Sequence, residues 1–218
     1  MFAGKPIIGI VGGIGSGKSF IAALFAAAGC LVIAADEQVR ALYADPDVRE
    51  ILRSWWGDGV FNSLGEVDKR FIAQRVFADP AEKQRLEALL HPRVVAMRQA
   101  VMAAHATDPQ VVAYVWDTPL LFEAGHAPEC DAIVFVESSI ESRLDRVLKT
   151  RKWEETELLR REKLQWPLDN KRRMSNYILQ NTADVGFAAK QVQEILSRIL
   201  AGGTRAAQRK ADPPSQNS

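Results

Sequence analysis

An apolar run that opens straight into a glycine-rich turn constrains this chain more than any other feature. Residues 6–19 read Pro-Ile-Ile-Gly-Ile-Val-Gly-Gly-Ile-Gly-Ser-Gly-Lys-Ser. Residues 7–11 are apolar and β-branched, the pattern of a strand buried in a parallel sheet. Residues 12–19 fit G-x-x-x-x-G-K-[ST], and residues 17–28 carry a helical pattern. Glycine at four of the six positions 12–17 removes Cβ atoms that would stop the backbone wrapping an anion. The N–H groups of Gly12, Gly13, Ile14, Gly15, Ser16 and Gly17 can then converge on phosphate oxygens as a nest. The helix that follows adds the positive end of its dipole. Lys18 supplies a full charge to the β- and γ-phosphates, and the Ser19 hydroxyl is placed to ligate Mg²⁺. With a strand before and a helix after, a nucleoside triphosphate site is favoured over a glycine-rich turn with a chance lysine.

The chain has 218 residues, 47% of them hydrophobic, which suits one α/β domain carrying an inserted lobe or lid. Its 28 basic and 27 acidic residues leave a formal charge of +1, so no global field attracts nucleic acid or a membrane. The short basic stretch 205–210 reads as a solvated end. No apolar stretch reaches the ~18 residues of a membrane span. The N-terminus runs directly into the first strand with no cleavable signal. Cys30 and Cys130 lack metal-like spacing and read as buried free thiols. The expectation is a cytoplasmic monomer.

Gly29 caps the first helix, and residues 30–35 form a second apolar strand. Asp36 follows it. Carboxyl ends of parallel strands line the ligand crevice, so Asp36 is either a crevice carboxylate or the N-cap of a helix over 37–43, or both. Residues 48–55, 69–78 and 81–104 are helical in pattern, giving a helical insert over about 47–105 that would serve the acceptor side. Asp79 and Pro80 form a cap and first turn. His91-Pro92 should kink or split the last helix, and a lone histidine there is more often structural than catalytic. Residues 111–116 are a third strand closed by Asp117, an acid placed near Mg²⁺ or its waters. Residues 118–123, Thr-Pro-Leu-Leu-Phe-Glu, continue over the crevice. A fourth strand lies within 131–137, and Ser138 or Ser139 caps a helix running to about 150. Residues 151–173 carry dense charge of both signs. A solvated helix with i,i+4 pairs is the plain reading; a lid bringing arginines over the transferring phosphate is favoured. A short strand at 177–179 and a helix at 186–200 close a domain spanning 1–203, with a disordered tail over 204–218. Alternating strands and helices make this a doubly wound α/β fold.

These residues together resemble the dephospho-coenzyme A kinase family, from about residue 7 to 200. The marks are the loop, Val32-Ile-Ala-Ala-Asp36 with Arg40 four residues on, Gly65-Glu-Val-Asp-Lys69, Val76-Phe77, Leu90-His91-Pro92 and Pro119-Leu-Leu-Phe-Glu123. The resemblance implies a P-loop NTPase fold similar to the adenylate-kinase group. That is a five-stranded parallel sheet flanked by helices, with a helical substrate lobe and a lid. It implies phosphorylation of the ribose 3′-hydroxyl of dephospho-coenzyme A with ATP and Mg²⁺. Asp36 would be the general base, Arg40 would hold the acceptor's phosphate side, and Lys69, His91, Pro119, Leu120, Leu121, Phe122 and Glu123 would line its pocket. Arg146 and Arg151 correspond to lid-proximal arginines, and Asn181 lies on the adenine side. The chain departs from the family at Ala34, where the first acid of Asp-Ala-Asp stands. It departs also at Phe20, in place of threonine, and at Ser175-Asn176, in place of Ala-Asp.

Two alternatives remain. Another small-molecule P-loop kinase would share the loop and lid but not the Asp36, His91-Pro92 and Pro119–Glu123 set. A nucleotide-binding switch or adapter would need no base at Asp36. A guanine-reading one would want Asn-Lys-x-Asp, whereas residues 170–173 read Asn-Lys-Arg-Arg.

Overall fold

The apolar run after Pro6 forms β1 (Ile7–Gly12), buried at every position. In the computed structural model, which describes residues 1–182 and 184–202, β1 is the middle strand of a five-stranded parallel sheet. It pairs on one side with β3 (Ala113–Asp117) and on the other with β4 (Ala132–Glu137), which pairs with β5 (Tyr177–Gln180). With β2 (Cys30–Ala34) the order is β2-β3-β1-β4-β5. The chain divides into two compact units, residues 1–33 with the chain from 105 onward, and residues 34–104.

In the first unit, strand alternation sorts side chains between the two sheet faces. Ile8, Ile10, Val115, Val134 and Val136 join Ile21 and Phe25 of α1 (Lys18–Ala27) and Val192 and Ile195 of α9 (Val185–Leu200) in one buried cluster. Gly9 faces the other way, where a Cβ would come within 2.5 Å of Leu121 Cδ2. α6 (Ile140–Arg151) is capped by Ser139, whose Oγ accepts from Ser142 N–H. Two shorter helices, α7 (Glu155–Glu162) and α8 (Leu168–Arg173), occupy the charge-rich stretch. Asn176, one of the departures from the family pattern, takes an acceptor role that an aspartate could fill equally. Its Oδ1 accepts from Ile133 N–H at 2.7 Å, extending the β4–β5 ladder by one step. At the outer edge of β5, Gln191 bonds both the N–H and the carbonyl of Gln180, blunting an edge that could recruit another strand. Cys30 and Cys130 are buried free thiols, and burial pushes the Cys30 thiol up to about 12. Among the described residues no helix is long and apolar enough to cross a membrane.

The second unit is helical: α2 (Ala35–Ala44), α3 (Pro46–Trp56), α4 (Lys69–Ala78) and α5 (Pro80–Ala104). It takes in α2 as well as the stretch from residue 47. Leu42, Val48, Leu52, Val60, Ile72, Leu86, Leu90 and Val94 form its core. Caps fix the helix starts: Asp45 Oδ1 accepts from Asp47 and Val48 N–H, with Pro46 at the first helical position, and Asp68 Oδ1 accepts from Arg70 N–H.

Two expectations fail here. Asp36 does not cap α2: the cap is Ala34, without a side-chain bond, and Asp36 lies inside the first turn because β2 ends one residue earlier than its apolar pattern. The break at His91-Pro92 does not occur, and α5 runs through both residues for 25 in all. His91, Pro92 and Ala88 are exposed, so water can serve the Ala88 carbonyl that proline leaves without a donor. Arg93 Nη1 donates to the neighbouring Leu89 carbonyl at 2.9 Å, supplying the same turn. The tail expected to be disordered, 204–218, lies outside the described residues.

Candidate active site

Ile10 of β1 stands in register with Asp117, the last residue of β3, so the loop after β1 and this carboxylate share the carboxyl end of the sheet. That is where open α/β sheets bind ligands. Ser19 Oγ donates to Asp117 Oδ2 at 2.9 Å. Lys18 Nζ folds back onto the Gly12 and Gly13 carbonyls at 3.1 and 3.0 Å. From behind the loop, Asn181 Nδ2 donates to the Ser16 carbonyl at 2.7 Å. Arg146 Nη1 reaches the Gly15 and Ser16 carbonyls at 3.1 and 3.2 Å and Ser138 Oγ at 2.8 Å. Holding those carbonyls outward turns the intervening N–H groups toward the mouth of the nest. Gly17 is required at this spot: its φ is 87°, and a Cβ would sit 2.2 Å from Asn181 Nδ2.

The loop accepts an anion. Ile14 N–H donates to Glu162 Oε1 at 3.1 Å, and Arg143 Nη1 donates to the same oxygen. The residues fit a phosphate by that observation. They fit Mg²⁺ by the hard oxygen pair Ser19 and Asp117. Among the described residues no three His, Cys, Asp or Glu side chains gather as a metal cluster.

Burial lowers the Lys18 ammonium to about 8, against Asp117, which favours the charge; Lys171 and Arg151 lower it further. Phosphate prefers the ammonium, so above about pH 8 nucleotide binding should carry proton uptake approaching about one proton per nucleotide. Affinity should weaken as pH rises through that value. Calorimetric titration with ATP at pH 8.5 in buffers of different ionisation enthalpy measures the uptake. Lys18→Arg, always charged, should abolish it; equal uptake in both proteins would refute the assignment.

The charge-rich stretch sorts into separate contacts. Arg151 and Arg161 lie over the Trp153 ring, at 4.8 and 4.1 Å from its centroid. Glu157 binds Arg160 and Arg161, whose hydrogen bonds hold its carboxyl down to about 2. Thus Arg146 faces loop carbonyls and Arg151 stacks on an indole, while Arg143 stands at the loop mouth. Lys171 is fully buried, with Nζ 2.7 Å from Glu123 Oε1 and 3.1 Å from Gln165 Oε1. The same Glu123 oxygen accepts from Trp166 N–H at 2.9 Å, and Phe122 stacks on Trp166 with centroids 5.6 Å apart. Glu123 and Phe122 therefore fasten the segment between α7 and α8. Lys171→Ala leaves that carboxylate buried without its cation and should cost about 3 kcal/mol in urea unfolding. A loss under about 1 kcal/mol would show the pair to be worth no more than a surface one.

Of the remaining acceptor-side candidates, Pro119 is partly exposed and Leu120 exposed, whereas Leu121 is buried against Gly9. Asp36, Arg40, Lys69 and His91 all belong to the helical unit and are exposed. Asp36 and Arg40, four apart on α2, share one helix face. Lys69 opens α4 and His91 lies midway along α5. From the sequence, Glu162 and Lys171 belong to the charge-rich stretch 151–173 and Arg143 to the helix that runs to about 150.

A phosphate nest at the end of the middle strand, with the loop serine bonded to the carboxylate of its neighbour, defines a P-loop kinase-type centre. Residues 6–186 match the sequence profile of the family described as dephospho-CoA kinase. The dephospho-CoA kinase of Deinococcus radiodurans is 35% identical, over 88% of this chain and 91% of its own length. That of Syntrophotalea carbinolica is 31% identical, over 90% and 93%. The solved dephospho-CoA kinase of Campylobacter jejuni shares the fold at a TM-score of 0.65, covering 92% of this chain and all of its own at 19% identity. The chain belongs to the dephospho-CoA kinase family.

Proposed function

We propose that the chain moves the γ-phosphoryl group of ATP onto the ribose 3′-hydroxyl of dephospho-coenzyme A, releasing coenzyme A and ADP, with Lys18, Ser19, Asp117 and Asp36 as the working groups. Family membership makes this the last step of coenzyme A biosynthesis. The observation that carries the centre is the Ser19–Asp117 hydrogen bond at the mouth of the loop.

The nest of residues 12–17 and Lys18 hold and align the phosphates, and Asn181 with Arg146 keeps the loop in shape for them. Ser19 and Asp117 would hold Mg²⁺, which when bound neutralises charge on the phosphate oxygens. Asp36 orients the acceptor hydroxyl and takes its proton, because an alcohol at neutral pH is a poor nucleophile. By the family resemblance Arg40, Lys69 and His91 of the helical unit, and Pro119 and Leu120 of the first unit, are acceptor-side residues, and residues 151–173 act as the lid that excludes water. Because the transition state is loose, alignment and electrostatics supply most of the rate. A cytoplasmic setting goes with membership of a family of coenzyme A biosynthesis, and a monomer suffices for this chemistry.

A coupled ADP-release assay with dephospho-coenzyme A, AMP and shikimate as acceptors, with Mg²⁺ and with chelator, tests the reading. Release should depend on dephospho-coenzyme A and on Mg²⁺. Release driven by AMP or shikimate would displace the acceptor, and release indifferent to chelator would displace the metal.

A further inference from the structure

We propose that Glu162 is an internal stand-in for a nucleotide phosphate, and that Arg143 is a phosphate ligand which it keeps occupied until ATP arrives. This rests on the reading of the loop as the ATP site. Glu162 ends α7, and its Oε1 takes hydrogen bonds from Ile14 N–H, at 3.1 Å, and from Arg143 Nη1. An anionic oxygen bound by a nest N–H and a guanidinium is also the arrangement a phosphate oxygen adopts in such a loop.

The pair lies directly on the loop backbone. A Cβ built on Gly13 would be 2.7 Å from Arg143 Nη1 and 3.0 Å from Glu162 Oε1. No phosphate oxygen can use Ile14 N–H while the carboxylate is there. Both side chains are largely shielded, 8% exposed for Arg143 and 16% for Glu162, so removing the carboxylate without a replacement would strand a shielded cation. An incoming phosphate supplies that replacement. Arg143 Nε is buried with no hydrogen-bond partner, so the guanidinium has a donor to spare. Arg143 Nη1 also donates to the Ile14 carbonyl at 3.4 Å. Of the other two arginines near the loop, Arg146 is held by carbonyls and Ser138, and Arg151 by the Trp153 ring, and among the described residues neither has a carboxylate as its partner there.

The test is ATP affinity measured by calorimetry at fixed salt and pH, on the full chain. Glu162→Gln keeps the shape but replaces an anionic oxygen with a weaker neutral acceptor. ATP should then bind about tenfold more tightly than to the wild type. Arg143→Met should bind ATP about tenfold or more weakly, and adding Glu162→Gln to it should gain under about threefold, because the two residues act on one another. Arg143→Lys, which keeps the charge and loses the fork, replaces the methionine variant if that fails to fold. If Glu162→Gln binds ATP no better than a wild type of measurable affinity, Glu162 is only a brace between α7 and the loop, and the proposal falls alone. If the wild type binds no ATP, the nucleotide reading falls with it.

Discussion

Lys18→Ala should lower kcat about a thousandfold, the loss expected when a preorganised charge is taken from a transition state. The thermal midpoint should not fall. Burial lowers the Lys18 ammonium to about 8, which means that the fold disfavours its charge. The penalty is present in full below that value and fades as pH rises toward the unfolded lysine's. Removing the side chain therefore relieves the fold at neutral pH rather than weakening it. What disappears is the ammonium that the loop carries for the phosphates, which in this structure turns to the Gly12 and Gly13 carbonyls. Steady-state kinetics beside a melt separates the two effects. A rate loss of under tenfold would mean that the backbone nest does the work alone. A loss matched by a collapse of the melt would mean that the lysine is structural.

Asp36→Asn carries the second large effect, a fall in kcat of roughly a hundred- to ten-thousandfold with little change in the KM of the acceptor. Asparagine keeps the size and can still accept a hydrogen bond, but it cannot take the proton. The stability cost should be small. Asp36 is exposed in the first turn of α2, where a carboxylate gains about 0.3–1 kcal/mol from the helix dipole. It makes no capping bond that the substitution could break. If kcat stays within threefold, the base is another group, and the exposed carboxylate serves only the helix end.

The parts of the molecule written in short stretches were readable in the sequence. The loop, its strand and its helix follow from glycine spacing and apolar period. Asp117 follows from its place at the end of a buried run, and a serine cap at 138 or 139 from standing before a helix, of which the structure uses Ser139. Local rules failed where a neighbour compensates. Pro92 should have broken α5, but it sits on the exposed side with Arg93 serving the Leu89 carbonyl. Of the two roles open to Asp36 the capping one fails, because the helix starts at Ala35. What no local pattern could reveal is the pairing of distant charges. Arg143 and Glu162 lie 19 residues apart, and Ile14 and Glu162 lie 148 apart. A buried lysine reads like any surface one, so the Lys171–Glu123 pair was hidden among the charges of 151–173. Likewise Leu121 and Phe122 looked like pocket lining, whereas packing against Gly9 and Trp166 engages them in the fold.

The most direct test of the central claim is to identify the product. ATP, Mg²⁺ and dephospho-coenzyme A are incubated with the protein, and the acceptor is followed by mass and by phosphorus NMR. One phosphoryl group should be added per ADP formed, seen as a single new phosphomonoester on the ribose 3′-oxygen and absent with Lys18→Ala. ADP accompanied by inorganic phosphate and an unchanged acceptor would contradict it, as would a phosphoryl group on any other oxygen.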